Sequence, residues 1–470
     1  MKQQTLSYYN RNVSALLILS LLICYTFFVA TGCKKEFTAT GIAASAGSEN
    51  ALHVADKPNI VLILADDVGF EVPTANGGES YSTPNIDNMA RNGMRFTQCY
   101  SAPMCSPSRV MFVTGKYNFR NYTKWSVLDQ SQRTFANLLG DVGYDTYVAG
   151  KWQFDGGDAS VRIFGFNQSY TIFEQYANRL LIHDDNFKTT GSYKSPELYA
   201  NGVNLVAANV LNKYCDDILV DSLVTYAGRS ARNNKPFFMY YPVSLCHKPF
   251  SPTPDDPEYA AWDPNDRLSN STFFPSMVKY MDKKIGQLIA KFDSIGVGDN
   301  TVYIFVGDNG CQREIYSRFH GELVQGGKMK STVWGTHVPL IVYWRGVVAP
   351  AVNNDLIDFT DFLPTLAGIA NTAVPASYGT IDGVSFYPRL VGLPGTPRDW
   401  IFCHYHPEQH PPSPLKRWIQ DTTYKLYDST GYFYNTVLDP YEKKRLKDNL
   451  LTEDEKEKKI HFQLVMNGLH

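Results

Sequence analysis

The stretch that decides the fold is NIVLILA, Asn59–Ala65, which runs directly into Asp66 and Asp67. A short apolar run of this kind, rich in isoleucine, leucine and valine, is typical of a strand buried on both faces of a sheet. Two adjacent carboxylates after a buried strand repel each other in a low-dielectric setting and need a compensating cation. The stretch therefore predicts a central strand that ends at a functional site.

Three further apolar runs end in polar residues in the same way. They are 144–149 before Gly150 and Lys151, 237–241 before a loop that holds His247, and 302–306 before Gly307, Asp308, Asn309 and Gly310. In doubly wound α/β folds ligands bind at the carboxyl ends of the strands, so these polar sets are expected to converge. The sequence thus predicts an α/β fold whose largely buried sheet carries a site at one edge.

Two segments between and beyond these strands predict helices. Thr83 suits an N-cap, Pro84 the first helical position and Gly93 a helix end, which together predict a short helix. The mixed-charge run from Glu453 to Lys459 predicts a solvated helix face.

Asp66, Asp67, Asp308 and Asn309 are the candidate metal ligands. Carboxylate and amide oxygens are hard ligands of the kind that hold Ca²⁺ or Mg²⁺. A single Asp is more often a helix cap or turn residue, but an adjacent pair after a buried strand favours a metal. Ca²⁺ is favoured by the oxygen-rich set, although the ligand types alone accept both ions.

The composition bounds the class of protein. The chain has 470 residues, with 44 basic and 46 acidic side chains and 44 % apolar residues, which is ample for a buried core. Only 19 % of residues are charged and the formal net charge is −2, so a disordered chain is excluded and nothing indicates nucleic-acid binding. Aromatic residues reach 14 %, which suits contact with carbohydrate.

The first 56 residues predict export. Lys2 and Arg11 precede an apolar run over residues 15–30 that is too short to span a bilayer, which predicts a signal peptide over residues 1–32. The small residues 30–32 before Cys33 resemble the bacterial lipobox, which implies a lipid on Cys33; an ordinary secretory signal is the alternative. Residues 33–56 predict a flexible tether. We expect a protein of the periplasm or outer membrane whose only membrane contact is that lipid.

The strongest motif is Cys105-Ser106-Pro107-Ser108-Arg109, followed by apolar residues and then Thr114-Gly115. A reactive group at a helix start faces backbone N–H groups that favour a bound anion, and Arg109 one turn later can hold that anion. The motif resembles the C-x-P-S-R signature of the type I sulfatase family. The resemblance implies that a maturation enzyme converts Cys105 to formylglycine, whose hydrated aldehyde is the nucleophile and a further metal ligand.

The resemblance extends from residue 58 to about residue 450 and implies roles for other residues. Gly143 to Gln153 resembles the family's second signature, in which Lys151 matches a sulfate-binding lysine. His247 resembles a histidine that protonates the leaving group, and Lys328 a second sulfate-binding lysine, with Lys330 as its local competitor. Gln153 departs from the family because it stands where a histidine is usual, and an amide cannot take up a proton near neutral pH.

The resemblance also implies the architecture. It indicates an alkaline phosphatase-like fold, with a large mixed, mostly parallel sheet sandwiched by helices. A catalytic domain over residues 57–390 is then followed by a small α+β subdomain over residues 391–470, with an antiparallel sheet that includes part of 427–450.

These observations favour a sulfatase that acts on sulfate esters of a sulfated glycan or sugar. Two alternatives stay open. The first is hydrolysis of phosphonate monoesters or phosphodiesters, since related enzymes use the same nucleophile and metal. The second, prompted by Gln153, is a lipoprotein that binds sulfated glycan without catalysis.

Overall fold

The computed structural model describes residues 57–173, 193–205, 207–263, 269–407 and 414–469. Its main feature is a ten-stranded sheet in the order β12-β2-β11-β8-β1-β7-β3-β4-β5-β6. The strands are β1 Asn59–Ala65, β2 Met94–Tyr100, β3 Asp145–Trp152, β4 Gln168–Phe173, β5 Tyr199–Ala200, β6 Val203–Asn204, β7 Phe237–Val243, β8 Thr301–Gly307, β11 His337–Trp344 and β12 Ala351–Asp358. From β12 to β4, β11 alone runs against the others, so this part of the sheet is mostly parallel, as predicted.

Strand β1 lies at the centre of the sheet and is buried along its whole length. Ile60, Leu62 and Leu64 point into the apolar cluster on one face, while Val61 and Ile63 point into the cluster on the other. Both faces are dry, which explains why the sequence here is a continuous apolar run rather than an alternating one.

Helices cover both faces of this sheet. The longer ones are α1 Pro84–Asn92, α2 Cys105–Thr114, α4 Phe135–Asp141, α5 Gly157–Ile163, α7 Cys215–Arg232, α8 Phe274–Ser294, α10 Phe362–Ile369 and α12 Glu453–Asn467. The four-residue helices are α3 Asn118–Asn121, α6 Ala207–Val210, α9 Val333–Thr336 and α11 Tyr387–Leu390. Apolar residues of α1, α7 and α8 join one core cluster, and those of α2, α4 and α10 join the other. The predicted sandwich of helices around a mixed sheet is confirmed.

A second, separate sheet follows near the carboxyl end. Its four antiparallel strands are β13 Ile401–Tyr405, β14 Lys416–Gln420, β15 Tyr424–Tyr427 and β16 Phe433–Asn435. The antiparallel sheet predicted near the carboxyl end is confirmed, and its strands lie between Ile401 and Asn435. The chain also has a two-stranded hairpin of β9 Tyr316–Phe319 and β10 Glu322–Gln325.

Helix α1 has the predicted bounds, but its amino terminus is capped differently. The Thr83 side chain makes no capping hydrogen bond to the helix. Instead the Asp282 carboxylate of α8 accepts hydrogen bonds from the backbone N–H groups of Asn85 at 3.0 Å and Ile86 at 2.8 Å. A carboxylate satisfies helix N–H groups and complements the helix dipole, so the cap also ties α1 to α8.

The predicted signal peptide and tether lie outside the described residues. Within the residues that the structure describes, no helix is both long and apolar enough to cross a membrane. The domain boundary at residue 390 stays a prediction.

Candidate active site

The polar sets that follow the strands meet at one edge of the large sheet. Strand β1 leads into Asp66 and Asp67, β8 leads into Asp308 and Asn309, and β3 carries Lys151 and leads into Gln153. The loop after β7 brings His247, helix α2 brings Cys105 and Arg109, and the loop after β10 brings Lys328. All of these predicted residues are buried except His247, whose side chain is 27 % exposed.

Cys105 is the first residue of α2, and every residue of that helix is buried. Its Sγ and one carboxylate oxygen each of Asp66 and Asp308 all lie within 4.8 Å of one another. Ser108 Oγ donates a hydrogen bond to the carbonyl oxygen of Ala102 at 2.8 Å, which holds the chain that enters the helix. The helix ends at Gly115, which adopts the left-handed conformation at a φ of 68°. The motif is therefore a rigid element that holds Cys105 against two carboxylates.

One half of the site is an ion cluster around Asp66. Lys151 Nζ lies 2.6 Å from Asp66 Oδ2, and Arg109 Nη2 lies 3.4 Å from the same oxygen. Arg109 Nη2 also donates to Asp308 Oδ2 at 2.8 Å, with Nε at 3.2 Å from that oxygen. The guanidinium thus joins the ends of β1 and β8.

The other half of the site is centred on Asp67, which has a positive φ of 59°. Its backbone N–H donates to Asp308 Oδ1 at 3.0 Å. Lys328 Nζ lies 2.6 Å from Asp67 Oδ1, Asn309 Nδ2 lies 2.7 Å from it, and Gln312 Nε2 donates to Oδ2 at 2.8 Å. The left-handed turn at Asp67 lets two consecutive carboxylates face different partners.

The site balances its buried charges closely. Three carboxylates, Asp66, Asp67 and Asp308, face three cations, Arg109, Lys151 and Lys328. Burial alone raises the pKa of Asp66, but Lys151 and the other neighbouring cations hold it well below its usual range. Burial and the nearby Asp66 carboxylate raise the pKa of Asp308 to about 7, although Arg109 opposes them.

The donor set fits a divalent cation. Asp66 Oδ1 and Asn309 Oδ1 are buried and have no hydrogen-bond partner among the residues that the structure describes. A buried acceptor without a partner is costly unless an ion or water fills the space. Oxygens of Asp66, Asp67, Asp308 and Asn309 are the residue types that hold Ca²⁺ or Mg²⁺, so these four can hold such an ion together with the group at position 105.

His247 projects from the loop after β7 toward the same cluster. Its Nδ1 lies 2.7 Å from the Lys248 carbonyl oxygen, which makes Nδ1 the protonated nitrogen of the neutral ring, and its Nε2 lies 3.8 Å from Asp67 Oδ2. Burial, together with Lys328 and Lys151, lowers the pKa of His247. Because Nδ1 is engaged by the Lys248 carbonyl oxygen, Nε2 is the ring nitrogen that faces the site.

Gln153, the departure from the family signature, is 2 % exposed and lies beyond the end of β3. Its Nε2 lies 3.1 Å from Ser126 Oγ. The backbone N–H of Ser126 donates to Ser106 Oγ at 2.8 Å, so Ser126 connects Gln153 to the residue after Cys105.

Sequence reasoning missed three residues of this region. Gln312 contacts Asp67, and its place four residues after Asp308 in the same loop is a signal that points to it. Ser126 and Tyr193 also contact site residues, yet nothing in their local sequence distinguishes them, because both reach the site from distant loops.

The side chains of Trp152 and His337 make their contacts outside the site. His337 stacks between Phe70 and Tyr100, with ring centroids at 3.9 Å and 4.8 Å, and its Nε2 lies 2.9 Å from the Thr97 carbonyl oxygen. Trp152 is buried, and its Nε1 donates to Ser160 Oγ at 2.8 Å. Both side chains are part of the packed interior.

Comparison with known proteins now assigns the family. A family model described as sulfatase matches residues 58–372, more than half of the chain. The chain belongs to the sulfatase family. Human arylsulfatase A is 28 % identical over 385 residues, covering 75 % of this chain and 71 % of its own length. Its relatives include arylsulfatases and an N-acetylgalactosamine-6-sulfatase, and this sulfatase is a sulfuric ester hydrolase.

Solved structures agree with the fold. Ps i-CgsB, solved in complex with k-i-k-neocarrahexaose, superposes with a TM-score of 0.71 at 22 % identity, over 88 % of this chain and 92 % of that chain. The phosphonate monoester hydrolase of Agrobacterium radiobacter superposes with a TM-score of 0.62 at 19 % identity, over 88 % and 95 %. Both share the alkaline phosphatase-like architecture of this sulfatase.

Proposed function

We propose that this sulfatase hydrolyses sulfate esters of a sulfated glycan or sugar, with formylglycine at position 105 and one divalent cation. The observation that carries the proposal is the position of Cys105 at the start of a buried helix, beside Asp66 and Asp308 and within a cluster that holds Arg109. Sulfuryl transfer needs compensation of negative charge above all, and this cluster supplies it in a water-poor setting.

The chain's own cations bind and orient the ester. Once formed and loaded, the hydrated formylglycine supplies a hydroxyl nucleophile and the cation polarises the sulfate oxygens. Arg109, Lys151 and Lys328 neutralise the remaining charge on the sulfate group. Because three carboxylates already balance these three side chains, a bound dication leaves the site positive, which suits an anionic ester.

His247 is proposed to give a proton to the leaving alcohol. Its Nε2 faces the site, and its partly exposed side chain can reach an incoming ester. Burial, together with Lys328 and Lys151, lowers the pKa of His247, so a bound sulfate group that neutralises the two lysines favours the protonated ring. Gln153 is proposed to orient the hydrated formylglycine by hydrogen bonding and cannot itself act as its base.

The carbohydrate assignment rests on relatives and on composition. One relative is named N-acetylgalactosamine-6-sulfatase, and one structural neighbour was solved in complex with an oligosaccharide. The high aromatic content of the chain suits stacking on sugar rings.

The first experiment measures the mass of the tryptic peptide that contains Cys105, from protein made in a bacterium with the maturation enzyme. Replacing CH₂SH by an aldehyde lowers the mass by about 18 Da, a direct consequence of the proposed conversion. A thiol that persists in a competent host contradicts the proposed nucleophile and favours the glycan-binding lipoprotein instead.

The second experiment separates the proposed reaction from hydrolysis of phosphonate monoesters or phosphodiesters. The converted protein is assayed with 4-nitrophenyl sulfate, 4-nitrophenyl phenylphosphonate and bis(4-nitrophenyl) phosphate. We expect the highest kcat/KM for the sulfate. A much faster phosphonate or diester reaction contradicts the assignment.

Ca²⁺ is the proposed ion because the ligands are all oxygens and the protein is proposed to be exported. Reconstitution of metal-free protein with Ca²⁺ or Mg²⁺ tests this, and higher kcat/KM with Mg²⁺ contradicts it.

We also propose that the protein is exported as a lipoprotein through Cys33. The test is Cys33→Ser in a Gram-negative host: we expect loss of labelling by a fatty-acid probe and release from the membrane fraction. If the wild-type protein is also unlabelled and also absent from the membrane fraction, the lipid anchor is contradicted. The ordinary secretory signal is then the remaining alternative.

A further inference from the structure

Tyr193 lies beneath the loop that carries His247. Its side chain is 1 % exposed, and its hydroxyl lies 2.9 Å from the Ser244 carbonyl oxygen and within hydrogen-bond distance of the His247 carbonyl oxygen. The backbone N–H of His247 also donates to the Ser244 carbonyl oxygen at 2.9 Å. One hydroxyl therefore contacts both ends of the turn that presents His247.

The position of the His247 ring follows from this backbone. Nδ1 hydrogen-bonds to the Lys248 carbonyl oxygen at 2.7 Å, which leaves Nε2 directed at the site, 3.8 Å from Asp67 Oδ2. A shift or rotation of the backbone at His247 thus moves Nε2 directly, since the ring is tied to the next carbonyl group.

Tyr193 is itself firmly held. The backbone N–H of Cys215, at the start of α7, donates to the Tyr193 carbonyl oxygen at 2.7 Å. The next residue, Lys194, is also buried, and its Nζ donates to the carbonyl oxygens of Tyr259 and Trp262, both at 2.8 Å. The backbone that carries the Tyr193 side chain is therefore held in a fixed position.

We propose that Tyr193 is a positioning residue that sets the aim of His247 Nε2 toward the leaving oxygen. The proposal rests on the proposed function, in which His247 protonates the leaving alcohol. Misplacement of a catalytic group by about 1 Å can cost about 10²-fold in rate. Such a loss falls on substrates whose leaving group needs the proton and spares those whose leaving group departs unprotonated.

The experiment compares kcat/KM for two substrates. Phenyl sulfate has a poor leaving group, phenolate, whereas 4-nitrophenyl sulfate has a good one, 4-nitrophenolate. In Tyr193→Phe we expect kcat/KM for phenyl sulfate to fall about 10- to 100-fold, and that for 4-nitrophenyl sulfate to change less than about threefold. His247→Ala is the reference and is expected to show the same selective loss, but larger.

Tyr214→Phe is the matched control. The Tyr214 ring stacks against Tyr193 at 5.8 Å between centroids and is equally buried. Its hydroxyl has no hydrogen-bond partner within the described ranges of the chain. Removing that hydroxyl should change neither rate selectively. The melting temperatures of both variants verify that the fold is intact.

The outcomes separate the two levels of the proposal. An equal loss on both esters in Tyr193→Phe, or no loss, overturns the positioning role while a selective loss in His247→Ala keeps the acid role. Absence of selectivity in His247→Ala overturns both. If wild-type protein with confirmed formylglycine does not hydrolyse 4-nitrophenyl sulfate, the proposed function itself fails.

Discussion

Lys328 and Lys330 are two residues apart in one loop, yet their surroundings differ. Lys328 Nζ lies 2.6 Å from Asp67 Oδ1 and the residue is 5 % exposed, whereas Lys330 is only half-buried. We therefore propose Lys328, rather than Lys330, as the sulfate-binding lysine that the family resemblance implied.

Lys328→Ala is expected to lower kcat/KM for 4-nitrophenyl sulfate by about 10²- to 10³-fold, the usual effect of removing one charge-stabilising donor. Lys330→Ala, the matched control from the same loop, should change it less than about threefold. Steady-state kinetics of the two variants decides this, and a larger loss in Lys330→Ala would reverse the assignment.

Gln153 supports the prediction of a variant with a higher kcat than the wild-type protein. A correctly placed general base contributes about 10²- to 10⁴-fold. Since Gln153 is buried and cannot accept a proton, Gln153→His is expected to raise kcat by about tenfold or more if release of sulfate limits turnover. Gln153→Asn, which keeps an amide, is the control. A fall in kcat in Gln153→His would mean that another group already serves as the base.

At the scale of elements, the carboxyl-terminal sheet holds the loop that carries Lys328. Lys425 of β15 is fully buried, and its Nζ contacts the Ser331 carbonyl oxygen and lies 2.9 Å from Glu442 Oε1. Tyr427 of the same strand has its hydroxyl 2.7 Å from Ser331 Oγ. Ser331 is three residues after Lys328, so the second sheet supports the first sheet's site.

Lys425→Met keeps the length of the side chain but leaves Glu442 buried without its cation. Removing one partner of a buried ion pair costs about 3–5 kcal/mol, so we expect a marked fall in the free energy of unfolding and a higher KM. The double variant Lys425→Met/Glu442→Gln should recover part of both, because no uncompensated charge remains. Denaturant unfolding and steady-state kinetics measure the cycle, and a double variant no better than the single one contradicts the coupling.

At the scale of the whole molecule, the buried acceptors at the ends of β1 and β8 link the proposed metal to global stability. Asp66 Oδ1 and Asn309 Oδ1 lack partners in the described part of the chain. Any ligand that binds only the folded state stabilises it, by about 2.7 kcal/mol at 100 times its dissociation constant.

Removal of metal by a chelator is therefore expected to lower Tm by several degrees, and added Ca²⁺ to restore it. Asp308→Asn, which weakens the ligand set, should reduce the response to Ca²⁺. Differential scanning calorimetry at matched ionic strength measures both. An unchanged Tm after complete metal removal contradicts a metal held by these residues.

The parts of the fold that depend on local pattern were predictable. The run at 59–65 predicts β1 because both faces of that strand are buried, and four such runs locate the edge of the sheet where the site lies. His337 was not predictable, because its stacking between Phe70 and Tyr100 depends on residues more than 230 positions away. The contact of Tyr193 with the His247 loop is also non-local, because 54 positions separate the two residues.

The complete burial of helix α2 has a consequence for the order of events in biogenesis. Cys105 is 1 % exposed, and the nine residues that follow it are buried as well. An enzyme that must grasp this segment to oxidise the thiol cannot reach it in the folded molecule. The proposed conversion of Cys105 to formylglycine therefore takes place before the chain folds, and a molecule that folds first keeps its thiol. The rate of the proposed oxidation then competes with the rate of folding. The fraction of protein that carries formylglycine reports the ratio of these two rates.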